Sequence, residues 1–402
     1  MAQFPSQFGR PWWENGFLID QHNYLDRGDE FTNSVQCLRE ILCPSGQWDP
    51  FDLDMIIIAL RNHSLINVVS TSDDAKLVSM HPLVHEWARL RRAGNTKPLE
   101  AAAIRLLCCG AIRGGYFMTR YLFSHVQALS SAWEGLHVND AASFSRLLRQ
   151  SGIYAEATKL QERSYETLRS LLGIKHLSTL LAATDLADNY RQLGRLAETE
   201  ALDEDVWKYR RELLGDDHLD TIHASAHLAY TYGQLGRHIE AEKLQVQVVE
   251  QRKRLLGDED LETIRASANL ALTYDHLGRW AEAAEMGEEV VKRREMKLGA
   301  GHPDTILARS RLATTYRHLG RYGDAEKLGI DVLNRRMALW CEQHPETLYA
   351  MLSLAQTYYV TKRDHEGYEL AKRARDIALS SLGENHPLYK EITTFAALCS
   401  CT

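Results

Sequence analysis

The sequence predicts an all-α fold, a stack of two-helix units preceded by a smaller module that does not repeat. Three observations predict it. The dipeptide Gly-Arg recurs at Gly194-Arg195, Gly236-Arg237, Gly278-Arg279 and Gly320-Arg321, each 42 residues after the last. A Leu-Gly pair keeps that spacing from Leu172-Gly173 to Leu298-Gly299 and returns at Leu382-Gly383, with only Trp340-Cys341 breaking the series. Columns of threonine (Thr179 to Thr347), alanine (Ala187 to Ala355) and tyrosine (Tyr190 to Tyr358) run in step with both. A fixed period of this length marks supersecondary units that bury their apolar faces against their neighbours.

Along the chain, residues 1–28 read as a tail and residues 29–92 as the first module. Apolar periodicity predicts helices at 34–42 and 51–61, strands at 65–69 and 76–79 around the turn residues Thr71-Ser72-Asp73-Asp74, and a helix starting at His81-Pro82. Helices followed by a small hairpin outline a winged helix. Residues 93–137 read as linker helices interrupted at Gly114-Gly115. Residues 138–402 form the repeats, about six units, with 388–402 as a cap.

Each unit reads as two helices. Ile222, Ala226, Ala229 and Tyr232 keep helical spacing, as do Ala241, Leu244, Val248 and Leu255 after the Gly236-Arg237 break. Before each first helix stands His176, His218, Asp260, His302, His344 or His386. Six such positions suggest metal ligation or helix capping. The presence of Asp260 in the column favours capping, because a carboxylate does the same work for a free helix N–H. Pro303, Pro345 and Pro387 suit the first helical position, and Asp220, Glu262, Asp304 and Glu346 suit the helix dipole. A column of arginines, Arg210, Arg252, Arg294 and Arg336, sits near the end of each second helix, where it complements the dipole or forms a phosphate-binding stripe.

The Leu228, Ala229, Tyr232 and Ala241 pattern resembles the tetratricopeptide repeat, in the long-helix variety of kinesin light chains. The resemblance covers residues 138–389 and implies a right-handed superhelix whose concave face binds proteins or peptides. The stretch Met80-His81-Pro82-Leu83-Val84-His85-Glu86-Trp87-Ala88-Arg89 is similar to the segment closing the winged helix of STAND-type NTPases, the class of NOD-like receptors. In that class the residue matching His81 contacts the β-phosphate of ADP. Tyr121-Leu122-Phe123-Ser124-His125-Val126 resembles the linker before the repeats in the same class. The chain then reads as a truncated relative, since it has no Gly-x-x-x-x-Gly-Lys-Ser/Thr loop to hold a nucleotide.

Composition excludes several classes. A net charge of −7 disfavours nucleic acid and anionic membranes as partners, and the longest apolar run, 55–60, is far too short to cross a bilayer. Seven cysteines without paired metal spacing, and no secretory signal, point to a reducing, cytoplasmic setting. The pairs His81/His85 and His223/His227 have the spacing for one metal but lack a Glu directly after the first His and an obvious third ligand nearby. No nucleophile stands in a recognisable catalytic context, so no cofactor and no enzyme are expected.

Function is therefore expected on the first-helix face. Packing columns must repeat for the stack to close, whereas ligand columns need not. The variable rows are Leu181, His223, Arg265, Leu307, Tyr349; Asp188, Tyr230, Leu272, Thr314, Gln356; and Arg191, Gly233, Asp275, Arg317, Tyr359, with His227, Asn269 and Arg311 between them. Arg265 and Arg317 lead, because a guanidinium grips a carboxylate at two points. The reading is a non-enzymatic scaffold for a protein or peptide, which also docks on a full-length STAND receptor. The alternatives are a kinesin-light-chain-like cargo adaptor, disfavoured by the lack of a heptad run before residue 138, and an enzyme or accessory protein acting through the groove.

Overall fold

The computed structural model describes residues 66–70, 76–80, 104, 126, 133 and 135–400. A hairpin forms where sequence placed it, its first strand one residue later and its second one residue longer than expected. Strand β1 (Ile66–Ser70) pairs antiparallel with β2 (Lys76–Met80), Val68 opposite Val78. The tail, the helices expected around the hairpin and the stretch after Met80 lie outside the described residues. So do most of the linker helices.

The chain divides into two compact units, residues 1–202 and 203–402. The first contains α1 (Val138–Gln150), α2 (Tyr154–Leu172), α3 (Leu177–Gln192) and the beginning of α4 (Leu196–Leu214). Phe144, Leu147, Leu148 and Ala157 form its core, joined by Ile104 and Val126 from the preceding segment. Arg163 closes this end by donating to the carbonyls of Trp133 (2.7 Å) and Leu136 (2.8 Å). Phe144 and Leu148, standing where later units carry leucine and tyrosine, are fully buried, so an atypical first pair still packs.

The second unit holds the rest of α4 and four further helix pairs: α5 (Leu219–Gln234) with α6 (His238–Leu256), α7 (Leu261–His276) with α8 (Trp280–Leu298), α9 (Pro303–His318) with α10 (Tyr322–Leu339), and α11 (Pro345–Val360) with α12 (Asp364–Leu382). A last helix, α13 (Pro387–Ser400), buries Ile392 and Ala396 against the final pair. From α5 onward each helix packs on the next, and each first helix also touches the first helix of the next pair. The alanine column is what permits this close approach: Ala229, Ala271, Ala313 and Ala355 are all buried.

The histidine column caps. His176, His218, His302, His344 and His386 each accept, at Nδ1, the backbone N–H two residues on at 3.1–3.2 Å, and Asp260 does the same through its carboxylate at 2.8 Å. His137 adds an unforeseen member at the start of α1. Among the described residues no cluster of His, Cys, Asp and Glu is arranged to hold a metal.

The Gly-Arg dipeptide has two jobs. Its glycine takes a positive φ, 74° at Gly278 and 83° at Gly320, which lets the chain leave one helix and enter the next. The arginine stacks its guanidinium on the tyrosine five residues earlier, 4.0–4.3 Å from the ring centre in all five pairs from Arg195/Tyr190 to Arg363/Tyr358. It then pairs with a glutamate on the preceding second helix. Arg195 uses Glu162 and Arg321 uses Glu288, which also accept the Tyr190 and Tyr316 hydroxyls. Where that position is Val246 or Ile330, Arg279 and Arg363 reach one turn back to Glu242 and Glu326. Burial and the glutamate partner push the Tyr190 and Tyr316 hydroxyls up to about 12.

Candidate binding groove

The arginine column near the ends of the second helices is not an exposed stripe, since Arg210, Arg252 and Arg336 are buried and Arg294 half-buried. Each guanidinium crosses to the first turn of the next helix and donates to a backbone carbonyl ten residues on. Arg210 meets Asp220 at 3.2 Å, Arg252 meets Glu262 at 2.8 Å, Arg294 meets Asp304 at 2.7 Å and Arg336 meets Glu346 at 2.6 Å. Arg252 and Arg336 are buried and also pair with the Glu262 and Glu346 carboxylates at 3.4 and 2.6 Å. The column is bounded by Leu168 and Ala378, both fully buried. These side chains hold the floor on which the variable rows stand.

On that floor a cavity of about 700 Å³ opens along the first-helix face in the second unit. Six residues of the rows expected from sequence, Leu272, Asp275, Leu307, Arg311, Thr314 and Tyr349, line it together with Arg294. Trp280 and His318 stand at one end, their rings 5.7 Å apart, and the His318 ring lies 3.3 Å from the largely buried Asp275 carboxylate. A smaller cavity of about 350 Å³ between α6, α7 and α8 is lined by Lys253 and Arg293 against Glu282, Glu285 and Glu289. Arg293 already pairs with Glu289, Lys253 with Asp258 and Glu282 with Arg279, so the larger cavity is the better binding candidate.

The remaining expected residues fall outside the lining of the larger cavity. Arg265 is exposed and paired with Glu262 on its own helix. Arg317 is turned inward, donating to the Ser353 carbonyl at 3.0 Å. Tyr230 is exposed and accepts from Gln234 at 3.1 Å. His223 and His227 lie half-buried, and burial followed by the charge of Arg252 pushes the His223 imidazole below its ordinary value. Asn269 and Gln356 are half-buried on α7 and α11. In the first unit Asp188, from the same set of rows, is held by Arg149 and Arg191.

Arg311 stands apart. It is exposed, yet its guanidinium makes no hydrogen bond or ion pair among the described residues. A concave setting reconciles its contact with solvent and its desolvation, which holds it below the ordinary arginine value. The Tyr230 and Tyr349 hydroxyls and Glu346 are the groups within its electrostatic reach. Among the described residues no helix is long and apolar enough to cross a membrane.

Comparison with known proteins agrees with this architecture. Residues 180–245, 223–296 and 276–338 match the tetratricopeptide repeat family profile. No curated protein matches the sequence. Among solved structures, a putative kinesin light chain from Podosopora anserina with nearly identical TPR-like repeats shares 26% identity over 51% of this chain and 97% of its own, at a TM-score of 0.45. A STAND protein with a tetratricopeptide repeat sensor from Pyrococcus horikoshii shares 16% identity at a TM-score of 0.52, covering 96% of this chain and 62% of its own. A Rap protein complexed with Competence and Sporulation Factor shares 10% identity over 79% of this chain and 90% of its own, also at 0.52. The family match, the 42-residue period and the paired helices lead to one conclusion: this chain carries tetratricopeptide repeats.

Proposed function

We propose that this protein is a non-enzymatic interaction scaffold that binds an extended peptide or protein segment along the first-helix face of residues 203–402. Arg311 is the observation that carries the reading: a cation with no internal partner, on the wall of a cavity large enough for several side chains. Folding leaves most charged groups of this unit paired, so one held unpaired in a groove serves a group that arrives from outside. Leu307 and Tyr349 supply apolar surface beside it, and Asp275 a carboxylate at the far end. An extended peptide uses such alternation of apolar and charged contacts. The Rap neighbour, solved with Competence and Sporulation Factor bound, shares the fold and supports a ligand-binding role for it. The Met80–Arg89 stretch supports kinship with STAND receptors, and a full-length receptor of that class is the second partner proposed.

The test is affinity purification with mass spectrometry from the protein's own cells, comparing wild type with Arg311→Glu. A partner lost from the variant is expected. Identical partner sets from a variant with unchanged helical content would sink the groove reading.

A further inference from the structure

Arginine in residues 203–402 is usually spent on carboxylates. Arg279, Arg321 and Arg363 each hold two, and Arg309 holds Glu295 and Asp331. Arg294, Arg311 and Arg317 depart from this, since no carboxylate lies within ion-pair distance of them among the described residues. Arg317 is absorbed by the Ser353 carbonyl. Arg294 gives one amino group to the Asp304 carbonyl and otherwise resembles Arg311 in having no acidic partner.

Arg294 and Arg311 line the same cavity. They come from α8 and α9 and lie within electrostatic reach of each other. Burial holds Arg294 below the ordinary arginine value; the Asp304 carboxylate, beyond ion-pair distance, offsets part of this, and the positive charges of Arg311 and Arg265 add to it. The neighbouring Glu346 carboxylate answers Arg311 only in part, because Arg336 takes it at 2.6 Å. Two like charges facing one groove raise the free energy of the empty protein, and an anion placed between them relieves it.

We propose that Arg294 and Arg311 form a seat for a phosphoryl group carried on a side chain of the bound peptide, with the Tyr349 hydroxyl as a further donor. The proposal rests on the peptide-binding reading above and names its ligand chemistry. A phosphoryl group brings close to two negative charges and three acceptor oxygens, enough for two guanidinium forks. A single carboxylate matches one fork and leaves the second cation unanswered. A long polyanion such as nucleic acid is disfavoured by the net charge of −7 and by Asp275 along the same cavity.

The experiment presents the full chain with three degenerate peptide libraries, identical except for one fixed position occupied by phosphoserine, serine or glutamate. Wild type is expected to retain the phosphoserine library about tenfold over the serine library, the effect of one charge-assisted contact. Inorganic phosphate should compete for that excess. Arg311→Gln should bring the ratio close to one without lowering the melting temperature, because the Arg311 guanidinium bonds to nothing among the described residues. Arg294→Gln, which loses the Asp304 contact, is the second variant and should also reduce the ratio. Equal retention of the phosphoserine and serine libraries, or equal preference for glutamate, overturns the phosphoryl seat and leaves the peptide groove standing. So does a ratio unchanged by Arg311→Gln. Retention of none of the libraries overturns the peptide-binding reading itself.

Discussion

Arg336 is joined to Glu346 twice, its Nη1 donating to the carbonyl at 2.6 Å and its Nη2 meeting the carboxylate at 2.6 Å. The guanidinium is buried and links the end of α10 to the first turn of α11. Removing the side chain leaves a cavity and breaks both bonds. Arg336→Ala is expected to cost about 2–4 kcal/mol, whereas Arg336→Met, which keeps the volume, should cost about half as much. Arg294→Ala, at a partly exposed site without the carboxylate, should cost only about 1 kcal/mol. Urea denaturation of the three variants checks the order. Equal losses would mean that the carboxylate contact and the burial contribute nothing.

Lys362 occupies the turn where earlier pairs place glycine, and it takes φ 59° there. A side chain in that left-handed region is strained by its own Cβ. Lys362→Gly should therefore stabilise the protein by about 1 kcal/mol, less whatever the added freedom of the unfolded chain takes back. A rise in the thermal midpoint is the expected reading. The reverse change, Gly278→Lys, should lower it.

The capping histidines can be told from metal ligands by substitution. His302→Ala should cost about 1 kcal/mol, the value of a lost cap. His302→Asp should be close to neutral, because Asp260 already performs this role with a 2.8 Å bond. Added zinc should leave the midpoint of the wild type unchanged. A zinc-dependent rise, abolished by His302→Asp, would return the column to metal binding.

Acid should weaken the second unit through two histidines. His238 stacks on His276 at 4.7 Å, and its Nδ1 is buried without a hydrogen-bond partner. Burial, then the neighbouring His276, lowers its pKa from the ordinary 6.5, and burial lowers that of His223 as well. An imidazole depressed in the folded state takes up protons more readily when unfolded, so stability rises with pH across this range. The contribution is complete above about pH 6.5 and is lost as pH falls through the lowered folded-state values. Denaturation midpoints measured from pH 7.5 down to 5 should fall below pH 6.5. His238→Tyr, which places here the aromatic type found at Tyr322, should flatten part of that slope.

The unit boundaries, caps and glycine turns were legible because each depends on a residue and its immediate neighbours. His302 sits beside Pro303 and Asp304, and Gly278 ends a helix whose periodicity is visible. The arginine column was not legible. Its partner is a backbone carbonyl ten residues on, which has no sequence signature, so Arg252 looked like any basic residue near a helix end. The groove rows followed from register, but their occupancy did not. Arg265 is paired three residues away and Arg317 is spent on a carbonyl 36 residues away. Only the folded chain separates these from Arg311, which sequence placed between the rows without distinction.

Because each arginine staple from Arg210 to Arg336 reaches only the adjacent unit, no single bond in the column ties distant parts of residues 203–382 together. Under tension such a chain behaves as a series of separate links, the partly exposed Arg294 staple weaker than the buried Arg336 one. Pulled from its ends, it should lengthen in steps, each releasing 42 residues. That is about 140 Å of extended backbone per step. Where force enters a cell's machinery, a repeat array of this kind yields gradually and dissipates work at each step, where a single globule would break at once.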